Sequence, residues 1–306
     1  MGNTNKEELI ERWPALPLES WKETRETLHM WTQIVGKVRL ELSPHLNHWW
    51  QVPFYVTARG LTTSPIPVPG ELGQIFEVQF DFIDHQLLIL TSSGTAKMIP
   101  LIPRSVSAFY QEFMASLQAL GIEVTINTLP SEIKYPIPCD QDEVHASYDP
   151  GTVQRFWRIL VQVDRVLTEF RSHFLGKSSP VHFFWGSFDM AETRFSGRRA
   201  PQRGGVDRIT REAYSHEVIS CGFWPGDDTF PEPAFYSYTF PKPPGLKEAA
   251  VRPASAFYHS TMGEFLLRYE DVRSADAPEQ VLMEFLQSTY EAGATLGQWD
   301  REALER

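Results

Sequence analysis

Apolar residues along the chain follow two rhythms, a helical one in four stretches and an alternating one between them. Trp21, Thr24, Leu28, Trp31 and Val35 form one stripe behind Ser20 and Glu23, which have the spacing of a capping box. A helix is therefore expected over residues 20–35, with Gly36 as its stop. Alternation then points to strands over 38–42, 49–58, 75–83, 86–91 and 95–101, with Asp84-His85 and Ser93-Gly94 as hairpin turns. Ser105 opens a second helix carrying Val106, Phe109, Phe113, Leu117 and Leu120 on one side; Gly121 closes it, and a short strand is expected over 122–126.

Pro130, Pro136 and Pro138 are incompatible with a helix or a central strand, so residues 129–148 read as a linker between a first half, 1–128, and a second, 149–306. Asp149-Pro150 supplies an N-cap and a first-turn proline for a long helix with Val153, Phe156, Trp157, Leu160, Leu167, Phe170 and Phe174 on its stripe, ended by Gly176. Strands are expected over 181–188, 191–196, 217–224, 234–240 and 264–269, and Asp276 with Glu279 marks the start of a last helix along Leu282, Phe285, Leu286, Thr289 and Tyr290. The fold class expected is α+β: two similar halves, each an antiparallel sheet with two covering helices.

The order of elements repeats, which suggests an internal duplication. Gly36-Lys37 matches Gly176-Lys177, Glu77-Val78 matches Glu217-Val218, and Glu112-Phe113 matches Glu284-Phe285; the growing offset is absorbed by Arg-rich and Pro-rich insertions. On this reading Trp21 is equivalent to Trp157 and Phe113 to Phe285. The alternative is two unrelated α+β units with chance matches.

Composition narrows the function classes. The net charge of -11 is spread over both halves, so a generic nucleic-acid binder is not expected. The local exception is a stretch with Arg194, Arg198, Arg199, Arg203, Arg208 and Arg211 against Asp207, read either as a solvated loop or as a site for an anion such as phosphate. Cys139 and Cys221 are too few for a disulfide framework and suit a reducing cytoplasm. The segment before residue 12 has no apolar run, and Lys6 stands where the myristoylation pattern behind Met1-Gly2 wants Ser or Thr, so neither secretion nor lipidation is expected. No apolar stretch is long enough to span a bilayer, and no membrane partner is expected.

Several segments together resemble one family: Trp13 to Pro17, His48 to Tyr55, Ala58 to Pro67, Phe80 to His85, His145 to Pro150, Val181 to Asp189 and Tyr214 to Glu217. The chain is similar along nearly its whole length to a bacterial family known only as a domain of unknown function. The resemblance implies no activity and no catalytic residue.

The chain lacks the dinucleotide, P-loop, nucleophile-elbow, zincin and paired C-x-x-C motifs. What remains is His182, Trp185, Asp189, Glu192 and Arg194 on consecutive strands, with His216-Glu217 on a later one. Strand parity puts Trp185, Ser187 and Asp189 on one face and His182, Phe184 and Phe188 on the other. His182, Asp189, His216 and Glu217 are the acid–base candidates, each weighed against a buried group satisfied by the backbone. His48, Trp50, Trp185, Arg194 and Arg198 are the ligand-binding candidates. No metal and no cofactor are expected, because the His and carboxylate candidates mix strand faces. The leading expectation is a cytoplasmic small-molecule-binding protein, either a plain binder or an enzyme, with a cleft between the two halves. The rival is a non-catalytic interaction module that uses its aromatic residues and the Pro-rich 225–253 segment; oligomeric state is left open. The two part on whether His182, His216 and Glu217 meet in one cavity.

Overall fold

The computed structural model describes residues 12–202 and 204–306; Met1, Gly2, Lys6 and Arg203 lie outside the described residues. The first helix, α1 (Lys22–Leu42), starts after Trp21 with no side-chain cap; the Ser20 hydroxyl instead donates to the Pro17 carbonyl in a short 3-10 turn. Its course corrects two expectations, the stop at Gly36 and the strand over 38–42. Gly36 lies inside the helix, where a Cβ would overlap the indole of Trp185, so this glycine serves close packing against the second half. The five-residue alternation from Val38 is equally a helix end, and Arg39 there donates to the Gln51 carbonyl.

The first sheet follows: β1 (Tyr55–Thr57), β2 (Gly60–Thr62), β3 (Ile66–Pro67), β4 (Ile75–Asp81), β5 (Gln86–Thr91) and β6 (Ala96–Pro100). Its order is β1-β2-β4-β5-β6, with β3 also on β4, and every pairing is antiparallel. The strand expected over 49–58 shrinks to β1, because a 3-10 turn occupies Asn47–Trp49. Helix α2 (Val106–Ala119) is capped by the Ser105 side chain, which accepts from the Ala108 amide at 3.2 Å, and it buries the expected stripe. No strand forms over 122–126; Ile122 and Ile126 are buried from a loop.

The second half opens with α3 (Pro150–Ser172), capped by Asp149, whose carboxylate accepts from the Thr152 amide at 2.7 Å. Next come β7 (His182–Phe184), β8 (Asp189–Arg199), α4 (Arg208–Ala213), β9 (His216–Trp224), β10 (Ala234–Phe240), β11 (Phe257–His259), β12 (Glu264–Arg268), α5 (Tyr269–Arg273), α6 (Pro278–Leu296) and α7 (Arg301–Leu304). The last long helix starts at Pro278 behind Ala277, so Asp276 is not its cap. The second sheet, also antiparallel, runs β11-β12-β10-β9-β8-β7.

The protein is thus α+β with two six-stranded antiparallel sheets. The sheets meet where Phe54 and Phe183 exchange backbone hydrogen bonds, both 2.8 Å, just before β1 and within β7. Helix α1 packs on α2 and α3, and α3 on α6, so the long helices form a layer over one side of the sheets, with a continuous aromatic and aliphatic core between. Glu77-Val78 and Glu217-Val218 lie on β4 and β9, and Glu112-Phe113 and Glu284-Phe285 on α2 and α6, an arrangement consistent with duplication. Two proposed equivalences are corrected. Gly36 is inside α1 whereas Gly176 lies beyond the end of α3, and Trp21 precedes α1 whereas Trp157 is inside α3.

Candidate functional site

Cross-strand register defines the two faces of the second sheet. Met190, Glu192 and Arg194 of β8 point toward the helices, as Arg194 shows by donating to the Phe170 carbonyl of α3. The other face carries Ala191, Gly222 and Tyr236 in one cross-strand row and Thr193, Ser220 and Tyr238 in the next. Small side chains in the middle strands and large aromatic ones around them leave a hollow on this face, which the long helices do not cover.

The hollow is roofed from both halves. Residues 48–50 and α4 lie over it, and the resulting cavity of about 430 Å³ is walled by Trp50, Phe184, Phe195, Tyr214, Tyr236 and Tyr238 among others. A second cavity of about 300 Å³ shares Ser187, Asp189 and three tyrosines with the first and extends to Trp224 and Glu264. The roof is held by His48, whose Nδ1 donates to the Glu212 carbonyl at 3.2 Å while its Nε2 accepts from the Lys177 ammonium at 2.8 Å. That pattern requires a neutral imidazole, in accord with a pKa lowered by burial and by Lys177. His48 and Trp49 both have left-handed backbone, at φ 58 and 61°, a conformation unfavourable for these side chains that places strain at the roof.

The polar content of the hollow is concentrated on its floor. Tyr236 donates its hydroxyl to Asp189, and Tyr214 and Tyr238 share a hydrogen bond of 2.9 Å. Thr193 and Ser220 join at 2.8 Å. Burial raises the Asp189 pKa to about 7, with repulsion from Glu132 adding to it and the Tyr236 hydrogen bond opposing it. Burial and then Asp189 itself raise Glu264 to about 7 as well. At the mouth, Ser187 donates to Glu132, which sits beside Gly186.

Of the residues singled out from sequence, His48, Trp50, Trp185 and Asp189 line the cavity. The other acid–base candidates do not. His182 is buried among Trp50, Tyr55 and Phe184, and its Nδ1 has no partner; burial lowers its pKa to about 3. His216 packs on His48 outside the cavity lining, and Glu217 binds Arg198 and Ser196. His182, His216 and Glu217 therefore share no cavity, and no catalytic set of these three is formed.

The arginine stretch is likewise dispersed. Arg194 is buried over Phe170, at 3.4 Å from the ring centre, and Arg198 closes the end of α6 by donating to the carbonyls of Gly297 and Gln298. Arg208 stacks on Trp49, and Arg211 donates to the Val206 carbonyl. These arginines reach different partners and do not converge on one anion site. Strand parity also operates differently from the expectation: β7 ends at Phe184 and Phe188 has φ 61°, so a turn, not a strand, carries Trp185 and Ser187 to the cavity beside Phe184.

Sequence reasoning missed Tyr214, Tyr236, Tyr238, Glu132 and Glu264. The signal was present as Tyr-x-Tyr on β10 facing Ala-x-Thr on β8 and Ser-x-Gly on β9. Among the described residues, no group of three or more His, Cys, Asp or Glu side chains is placed to hold a metal ion, and no helix is long and apolar enough to cross a membrane.

Residues 13–306 match the model of a family of unknown function, DUF5996, and the chain is a member of it. No curated protein and no solved structure matches the chain.

Proposed function

We propose that this is a cytoplasmic protein that binds a small molecule in the cleft between its roof and the face of the second sheet that the long helices leave uncovered. The observation that carries the reading is the cavity of about 430 Å³, aromatic on its walls and polar at Asp189 and Tyr236. That combination of apolar walls with a few convergent polar groups is what small-molecule sites present. Both cysteines are buried and free, which fits a reducing compartment. Asp189 is the group suited to exchange a proton with an occupant, because its carboxyl titrates near neutrality while hydrogen-bonded.

The separation of His182, His216 and Glu217 counts against an enzyme built on those residues and toward the non-catalytic rival, but that rival loses its Pro-rich feature. Pro225, Pro233 and Pro243 are buried, and the 225–253 segment contains β10, so this tract is part of the packed fold rather than a free Pro-rich ligand.

The test is a titration with N-phenylnaphthylamine, an uncharged fluorophore whose emission rises in apolar sites. Saturable binding at one site per chain is expected. Filling the cavity from the roof with Ala213→Trp, or from the floor with Ala191→Trp, is expected to abolish it in protein that still unfolds cooperatively. Equal binding to the wild type and to folded filled variants would remove the proposal.

A further inference from the structure

The side chains that line the two connected cavities include three carboxylic acids and neither lysine nor arginine. Glu132 stands at the mouth, Asp189 on the floor and Glu264 in the extension, and Ser187, which lines both cavities, donates to Glu132. The histidine of the lining, His48, is held neutral by accepting from Lys177. Lys177 itself packs on the rings of Trp50 and Phe195 and is not part of the lining. Lys242, the cation that acts on Glu264, also lies outside it.

An aromatic enclosure has a second electrostatic property. Ring faces carry negative quadrupole potential, and a cation over a Trp, Tyr or Phe face is attracted in addition to being desolvated by its neighbours. Trp50, Phe184, Tyr214, Trp224, Tyr236 and Tyr238 line the two cavities together with Asp189, whose carboxyl accepts from the Tyr236 hydroxyl. An anionic occupant would meet the same rings and three acids with no lysine or arginine in the lining to offset them, a combination that disfavours it.

We infer that the cleft selects an organic cation, an amine or quaternary ammonium with an apolar body, seated on the aromatic walls with its charge at Asp189. This deepens the binding reading above and rests on it. It replaces the expectation of an anionic ligand, for which the cleft supplies no cation.

The experiment is competition against bound N-phenylnaphthylamine at constant ionic strength and about pH 8, where Asp189 is mostly ionised. The competitors are benzyltrimethylammonium, benzyl alcohol and benzoate. Benzyltrimethylammonium is expected to displace the probe at concentrations roughly tenfold or more below those of benzyl alcohol, with benzoate the weakest. In Asp189→Asn the advantage of the ammonium over the alcohol, taken as the ratio of their competing concentrations against that variant's own probe affinity, is expected to collapse; should that variant not fold, Glu264→Gln is expected to shrink the same ratio. Benzoate competing as well as the ammonium, or an advantage unchanged in these variants, would overturn the inference and leave the binding reading standing. Failure of the uncharged probe to bind would instead remove the cleft reading, and this inference with it.

Discussion

Arg194→Ala is expected to lower the stability of the protein by about 3–5 kcal/mol, the range for removing one partner of a buried ion pair. Arg194 is fully buried on the helix side of β8, with its guanidinium over Phe170, Tyr290 and Phe174 and a hydrogen bond to the Phe170 carbonyl. Truncation removes that packing, leaves the carbonyl without its donor, and leaves buried Glu192 with only the weaker attraction of Arg171. Urea unfolding reads the loss. Arg194→Met, which keeps most of the volume, is expected to recover part of it, and adding Glu192→Gln to that variant to recover more. A loss below about 1 kcal/mol for Arg194→Ala would mean that the ring stack and the pair are not what holds α3 to this sheet.

The pair also sets a pH dependence. Arg194 Nε lies 3.6 Å from Glu192, longer than a hydrogen bond, and both Glu192 carboxylate oxygens lack partners. Desolvation therefore outweighs the attraction, and the Glu192 pKa rises from 4.5 to about 7. A carboxyl raised in the folded state holds its proton there after the unfolded chain has released it. Its contribution to stability is thus greatest at acid pH and declines as pH rises from 4.5 through about 7. The stability of the wild type relative to Glu192→Gln is expected to fall across that window; a relative stability that rises instead would show Glu192 ionised and well paired.

What the sequence conveyed and what it withheld follow the range of the interactions involved. Helix α3 was legible because Asp149 and Pro150 act on their own first turn, and strands β8, β9 and β10 were legible because alternation is local. The course of α1 past residue 36 was not legible. Its glycine is explained by Trp185, which arrives from the other half of the chain, whereas a reading by local rules takes a glycine near a helix end for a stop. The roof was illegible for a similar reason: left-handed backbone at His48 and Trp49 is tolerated where Glu212 and Lys177 hold the imidazole, and both are remote in sequence.

The candidate site divides along the same line. His48, Trp50, Trp185 and Asp189 stood out by residue type, and they line the cavity. His182 and Glu192 stood out for the same reason, yet they are buried away from it, since type does not reveal which face of a strand is covered. The tyrosines were overlooked because they look like core residues. Their function in the hollow depends on the small residues opposite them, and that relation exists only once β8, β9 and β10 are in register.

Gly222→Ala is the substitution expected to damage stability and site together. Gly222 lies between Ala191 and Tyr236 in one cross-strand row, and the Tyr236 ring crosses it to reach Asp189. An added Cβ would overlap the carbonyl oxygen of Met190 and stand 2.6 Å from the Tyr236 hydroxyl. The carbonyl belongs to the backbone of β8 and cannot withdraw without disturbing the ladder, so the loss is expected at about 1–3 kcal/mol or more. Tyr236 must yield as well, and because its hydrogen bond stabilises the charged form of Asp189, the Asp189 pKa is expected to rise further above about 7. Carboxyl carbon NMR titration reads this directly. Tyr236→Phe is expected to reproduce the pKa rise with a smaller loss of stability, and Gly204→Ala, where an added Cβ meets nothing within 4 Å, to change neither. If Gly222→Ala proves as benign as Gly204→Ala, the close crossing of Tyr236 over the second sheet is wrong, and with it the geometry that presents Asp189 to the cleft.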